Sequence, residues 1–189
     1  MSLRPAAPAL LLAIVLTSCS AQDSQVPAPR PMNERHGAPP ISSPRDVTGF
    51  TTDPCNALLT EAQLGALGFD DVGRTSAVES TGEPSCEWGG RNSRQALDVV
   101  VVSRRDVLVD TYRVRLFAVF EPVEIGGLPA VREQSYMGSI SCTITVGTAD
   151  GQGLVTNYSE LDGGQADDPC GRGQRAAEQM VANLPPLQK

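Results

Sequence analysis

The chain has 189 residues, 40% of them hydrophobic but only 4% aromatic, and a formal net charge of -7. That length suits one domain with accessory segments, and the apolar share suffices for a core built mainly of Val, Leu, Ile and Ala. An acidic chain without a long basic run is poorly suited to nucleic acid or to an anionic bilayer surface, both of which need clustered Lys and Arg, so no nucleic-acid partner is expected.

Arg4 precedes an apolar stretch from Ala6 to Leu16. The stretch falls short of the roughly 20 apolar residues that a mature transmembrane helix needs, and it has the size of a signal-peptide core. Leu16-Thr17-Ser18-Cys19 follows. An aliphatic residue, two small residues and a Cys resemble the bacterial lipobox. The small residues let the chain enter a signal peptidase extended, and the Cys19 thiol accepts diacylglycerol. Acyl chains contribute about 0.8 kcal/mol per buried CH₂, and two chains anchor stably. Residues 1–18 are therefore expected to be a lipoprotein signal peptide. Cys19 is the expected lipidation site, and the product should sit on the cell membrane, lipid-anchored, facing the extracytoplasmic side.

Residues 19–46 read as the lipidated Cys and a tether. Ser20 to Asp46 is rich in Pro, Ser, Gln, Ala and Arg and carries few large apolar side chains. Such a segment buries too little surface to offset the entropy of ordering, so disorder is expected, with a reach of roughly 30 Å. His36, the single histidine of the sequence, falls here and is read as solvated. Residues 47–189 are expected to form a single globular domain.

Within that domain Thr60 and Gln63 have the spacing of a capping box, Leu59 and Leu64 that of a hydrophobic staple, and Gly68 the place of a left-handed helix end. Val72–Glu79 is polar with scattered β-branched residues, which suits an edge strand. Ser85–Trp88 is a short strand, and Ala96–Val102 is a near-continuous aliphatic run expected at the centre of a sheet. Asp106 is expected to cap a helix through Phe117, with Leu108, Tyr112 and Leu116 on one face. Glu121–Ile125 and Leu128–Arg132 read as a hairpin around Gly126-Gly127. Ile140–Val146 and Gln152–Tyr158 read as another, around Ala149-Asp150-Gly151. Asp168 caps a last helix whose first turn accepts Pro169. Its apolar stripe is Ala176, Ala177, Met180, Val181 and Leu184, and Pro185-Pro186 ends it. The pattern is α+β: an antiparallel sheet with a helix near each end of the domain.

Four cysteines remain beyond Cys19, and in an exported domain they imply two disulfides with three connectivities open. The expected pairs are Cys55–Cys86 and Cys142–Cys170, each joining the start of a helix to a strand nearby in sequence. Zinc is disfavoured because the spacings hold no CxxC and the domain has no His, so no metal site is expected.

The inventory for catalysis is thin, and no catalytic residue and no cofactor are expected. Ser or Cys nucleophiles need a His base, and the domain has none. Lys189, the last residue, is the sequence's one lysine. No phosphate-cradling glycine motif is present. Carboxylates remain, among them Asp70, Asp71, Glu87, Asp98, Glu121, Glu124, Asp162, Asp167 and Asp168. Glu87 beside Trp88 is the most suggestive, since an apolar wall raises a carboxyl pKa. The simpler expectation puts Trp88 in the core near a disulfide and Glu87 in solvent.

Asp53-Pro54-Cys55 followed by Leu58-Leu59-Thr60 and the helix to Gly68 resembles the opening of the domain-of-unknown-function 3558 family of actinobacterial lipoproteins. Cys86-Glu87-Trp88 is similar to that family's Cys-x-Trp strand, and Gly126-Gly127-Leu128-Pro129-Ala130-Val131 to its Gly-x-Pro-Ala-Val hairpin. Cys142, then Asp168-Pro169-Cys170 and a helix ending at Leu184-Pro185, complete the order. The resemblance spans Asp53 to Pro185 and implies location and disulfides, with no activity and no catalytic residues to carry over. The expected role is a non-enzymatic binding or interaction module of the cell envelope. Beyond its lipid anchor in the membrane, its partner would be an envelope protein, a glycan or a lipid. The alternative is a carboxylate-dependent hydrolase of wall glycan.

Overall fold

The structure is a computed structural model that describes residues 34–69, 72–90, 94–160 and 168–188. The expected signal segment, Cys19 and the expected tether as far as residue 33 lie outside the described residues. Strands β1 (Arg74–Ala77), β2 (Pro84–Gly89), β3 (Gln95–Val102), β4 (Val119–Ile125), β5 (Leu128–Gln134), β6 (Ser141–Ala149) and β7 (Gln152–Glu160) form one antiparallel sheet. Its order is β1-β2-β3-β7-β6-β5-β4. Helices α1 (Pro54–Ala57) and α2 (Glu61–Leu67) precede the sheet, α3 (Val107–Val114) connects β3 to the far edge, and α4 (Pro169–Asn183) follows β7. The α+β class is as expected, and both expected disulfides are present.

Local chemistry explains the elements. Thr60 and Gln63 form the reciprocal capping box, and Gly68 ends α2 with φ 89°. A left-handed terminus of that kind favours a residue without Cβ. Gly126 and Gly127, at φ 57° and 80°, let β4 turn directly into β5, as a two-residue hairpin requires. Asp168 accepts from the Gly171 amide and Pro169 opens α4. β1 is exposed at one sheet edge, and β3 is interior and mostly buried.

Alternation along the strands sends Trp88, Leu97, Val99, Ile144 and Tyr158 to one face, where α1 and α4 cover them. The Cys55–Cys86 and Cys142–Cys170 bonds clamp α1 and α4 to this face, to β2 and β6 respectively. The stripe Ala176, Ala177, Met180, Val181 and Leu184 is buried throughout. On the other face α3 packs Leu108 and Tyr112 against Val131. Close approach there needs glycine: a Cβ at Gly153 would stand 2.5 Å from Val107 Cγ1.

Two expectations are corrected. The helix capped by Asp106 stops at Val114, with Arg115 in the left-handed region, and Leu116 is 75% exposed and off its inner face. The β-branched residues in this segment weaken its helix propensity. The tether expected to run to Asp46 gives way to packed chain over residues 34–46. Ala38 is fully buried there, and Arg35 donates to the Ala38 and Pro39 carbonyls and reaches Asp106 and Asp150, each at 3.3 Å. Backbone hydrogen bonds from Arg45 to Thr148 and from Asp46 to Pro185 join this segment to the sheet and to the chain after α4. Long-range pairing supplies the order that its composition does not.

Candidate functional site

Helix α2 stands off the sheet. No residue in it is fully buried, although Leu64 and Leu67 rest on the core. On α4 the residues Arg172, Arg175 and Gln179 recur at helical spacing, away from the buried stripe, and so share a face. One end of the gap between the helices is closed by hydrogen bonds. Gln63 Nε2 donates to Gln179 at 2.9 Å, and Asn183 Nδ2 donates to Gln63 Oε1 and to the Leu58 carbonyl, each at 2.9 Å. Between the helices lies a cleft of about 500 Å³, with Ala62, Ala66, Leu67 and Phe69 on one side and Arg172 and Arg175 on the other.

A buried polar network forms the floor of this cleft. The Tyr158 hydroxyl lies 2.6 Å from Glu160 Oε1 and 2.8 Å from Gln95 Oε1, and accepts from Arg172 Nη1 at 3.1 Å. Gln95 Nε2 donates to the Gly68 carbonyl at 2.8 Å, tying the start of β3 to the end of α2. Burial, then the hydrogen bond and charge of Glu160, push the Tyr158 phenol up to about 12. It therefore stays protonated at physiological pH and serves as a fixed polar post. Phe69 meets its ring edge-on at 6.4 Å.

A second cleft, of about 430 Å³, lies on the other side of α2, lined by Leu59, Leu64, Phe69, Val72 and Trp88. Trp88 is fully buried and its Nε1 has no hydrogen-bond partner. Gly73 seals it: a Cβ there would stand 2.6 Å from Nε1 and within 2.8 Å of both sulfurs of Cys55–Cys86. Phe69 is common to both clefts.

Among the described residues the acids considered in the sequence are dispersed, with one exception. Glu87 stands opposite Asp98 on β2 and β3, on the face away from the clefts. Glu87 is 45% exposed and 3.8 Å from Arg74. Burial, then the charge of Glu87, raise the Asp98 carboxyl above its ordinary range, against the lowering effect of an Asn157 hydrogen bond. Trp88 points the other way, into the core beside the disulfide. Glu121 is paired to Arg132 at 2.7 Å, Glu124 is exposed, and Asp168 caps α4. Asp70, Asp71, Asp162 and Asp167 lie outside the described residues. Among the described residues no group of three His, Cys, Asp or Glu is placed to hold a metal ion. No helix there is long and apolar enough to cross a membrane.

Sequence reasoning did not single out Arg172, Arg175, Gln95, Tyr158 or Glu133. A signal existed for the first two, because the polar side of α4 carries its arginines at helical spacing. Gln95, opening an aliphatic strand, was a weaker one. Glu133 lies on β5 between Thr143 and Phe120 of its neighbours, 5% exposed, with Oε1 unpartnered. Burial raises its carboxyl pKa. Nothing in its sequence surroundings marks it as buried.

No curated protein and no solved structure matches the chain. A family model described as "Protein of unknown function (DUF3558)" matches residues 14–183. The chain belongs to that family.

Proposed function

We propose that this member of the family is a lipid-anchored extracytoplasmic protein whose domain is a non-enzymatic binding module of the cell envelope. Support for the anchor is the apolar run before Leu16-Thr17-Ser18-Cys19 and the small, aliphatic residues that a lipobox needs. The observation that carries the binding reading is the α2–α4 cleft, of about 500 Å³. That volume falls in the roughly 300–1,000 Å³ range of small-molecule sites, and an apolar wall with a few convergent polar groups is their usual lining. Further support is the scarcity of side-chain bases: His36, exposed on the packed segment before residue 47, is the one histidine, and Lys189 the one lysine.

The anchor is tested by detergent phase partition of the exported chain. The native chain is expected in the detergent phase and Cys19→Ala in the aqueous phase; the native chain in water would sink the anchor. Binding is tested by the mass of the exported chain under native conditions.

One observation favours a second reading, a carboxylate-dependent hydrolase on wall glycan: Glu87 and Asp98 stand opposite each other, with the Asp98 carboxyl raised. Directly opposed strand residues carry their side chains on one sheet face, and a carboxylate-pair mechanism needs two carboxyls facing one substrate. Glycan turnover that is lost in both Glu87→Gln and Asp98→Asn would establish that reading over the first.

A further inference from the structure

We infer that the α2–α4 cleft takes an anionic amphiphile, with a carboxylate or phosphate head at Arg175 and Arg172 and an apolar chain running over Phe69 toward Trp88. The inference rests on the binding-module reading and narrows its ligand.

Three observations carry it. First, the cleft is polarised along its length. Hydrogen bonds from Gln63 to Gln179 and Asn183 close one end, and guanidinium groups stand at the other. This is a local cationic site on a chain of formal charge -7. Arg172 is already oriented by Glu160 at 3.5 Å and by Tyr158, so part of its charge is met from within. Arg175 is exposed, and no ion pair holds it among the described residues. The lining also carries one carboxylate, Glu178, which accepts from Gln174 at 3.0 Å along its own helix. A forked guanidinium suits the oxygens of a carboxylate or phosphate, and the bond is charge-assisted.

Second, the opposite wall is apolar and small. Ala62 and Ala66 lie one helical turn apart on α2, and Leu67 and Phe69 continue below them. A polar ligand would waste that wall.

Third, the apolar surface continues past α2. Phe69 lines both clefts, and the second holds Leu59, Leu64, Val72 and the fully buried Trp88. Helix α2 bridges them with no buried residue of its own. It is fastened at Gln63 and at Gly68, by the Gln95 hydrogen bond. Leu64 lines the second cleft and Leu67 the first, so these two partly buried side chains and Phe69 are what separates them.

Trp88 is the chain's one tryptophan, so its fluorescence reports arrival of a chain terminus. The test uses the full chain bearing Cys19→Ser, which leaves no acyl group of its own to compete. The probe is ω-bromo-undecanoate, whose bromine quenches a nearby tryptophan at short range without needing to touch the buried indole. Saturable quenching is expected, with affinity about tenfold weaker for Arg175→Gln, the scale of one charge-assisted hydrogen bond. Ala66→Phe, which fills the cleft from an exposed helical position, is expected to abolish it. Both positions are exposed, and an unchanged melting temperature verifies folding. Inorganic phosphate alone is expected to leave the emission unchanged. Equal quenching by uncharged ω-bromo-undecanol would remove the head site, and no quenching by the acid would overturn the inference. Should the natively isolated chain then carry some other component, the binding-module reading survives and this ligand class falls. If it carries nothing, both fall.

Discussion

Arg172 lies over Tyr158, its guanidinium carbon 5.8 Å from the ring centroid, while its Nη1 donates to the phenol oxygen at 3.1 Å. The two residues come from α4 and β7, and Gln95 of β3 joins them through the same oxygen. The phenol is held protonated by burial and by Glu160, and Glu160, 3.5 Å from Arg172, meets part of the arginine's charge, so that Arg172 orients the site and Arg175 carries the outward charge. The Cys142–Cys170 bond holds the first turn of α4 against β6, two residues before Arg172. The disulfide thus positions the cationic end of the cleft.

Removing either disulfide should therefore destabilise the domain, with different local consequences. Closing loops of 31 and 28 residues is worth roughly 3.5 kcal/mol each in the chain-entropy model. Cys142→Ser with Cys170→Ser is expected to lower the urea midpoint and also to loosen Arg172 from Tyr158. Cys55→Ser with Cys86→Ser should lower the midpoint and expose Trp88. Unchanged midpoints in either double variant would contradict the packing described.

Gly73→Ala is expected to destabilise by about 1–3 kcal/mol, the usual effect of inserting a methyl into a filled core. The new Cβ would fall 2.6 Å from Trp88 Nε1 and 2.7 Å from Cys86 Sγ. Neither the indole nor the disulfide is a flexible side-chain end. Thermal melting with Trp88 emission checks this; a neutral substitution would mean that residues 72–73 do not seal the indole.

Glu83 predicts an acid-side loss of stability. Burial alone would raise its carboxyl, but hydrogen bonds from Arg105 and Thr81, together with nearby arginine charge, outweigh burial and leave it lowered. Arg105 Nε and Nη2 contact its two oxygens at 2.7 and 2.9 Å. A depressed folded-state pKa gives stability that is present above the unfolded value of about 4.3 and is lost as pH falls through the folded one. Arg105→Ala should flatten that slope and cost about 1–2 kcal/mol at neutral pH, discounted because Arg105 is partly exposed. Parallel stability curves in urea across pH would refute the pairing.

Glu133 has the opposite sign. Its folded pKa is raised by burial, so its contribution is full below the unfolded value of about 4.3 and is lost as pH rises through the folded one. Glu133→Gln should stabilise the domain by about 1 kcal/mol at neutral pH, by removing a buried charge with an unpartnered oxygen. The gain should vanish in acid. A destabilised Gln variant at neutral pH would show that the carboxylate has a partner.

Much of the fold was legible because its signals are local. The Thr60–Gln63 capping box, Gly68, the Gly126-Gly127 turn, Asp168-Pro169 and the α4 stripe each act within a few residues, and each formed where expected. Sequence separations of 31 and 28 residues, each running between a helix start and a strand, made the cysteine pairs readable too. The β3–β7 pairing that makes one sheet from two meanders joins residues far apart in sequence, and no local pattern encodes it. Residues 34–46 order through Arg35, Ala38 and pairing to the chain after α4, also at long range. The candidate cleft was illegible for the same reason. Gln63, Gln95, Tyr158 and Arg172 are ordinary residues in sequence and become a site by folding.

The most direct measurement is the native mass of the chain isolated from the envelope without denaturant. The account predicts a mass carrying a non-covalent component that is released on denaturation and identifiable as an apolar acid or phosphate, and that is diminished in Arg175→Gln. A bare mass, with both disulfides formed and nothing bound, would contradict it.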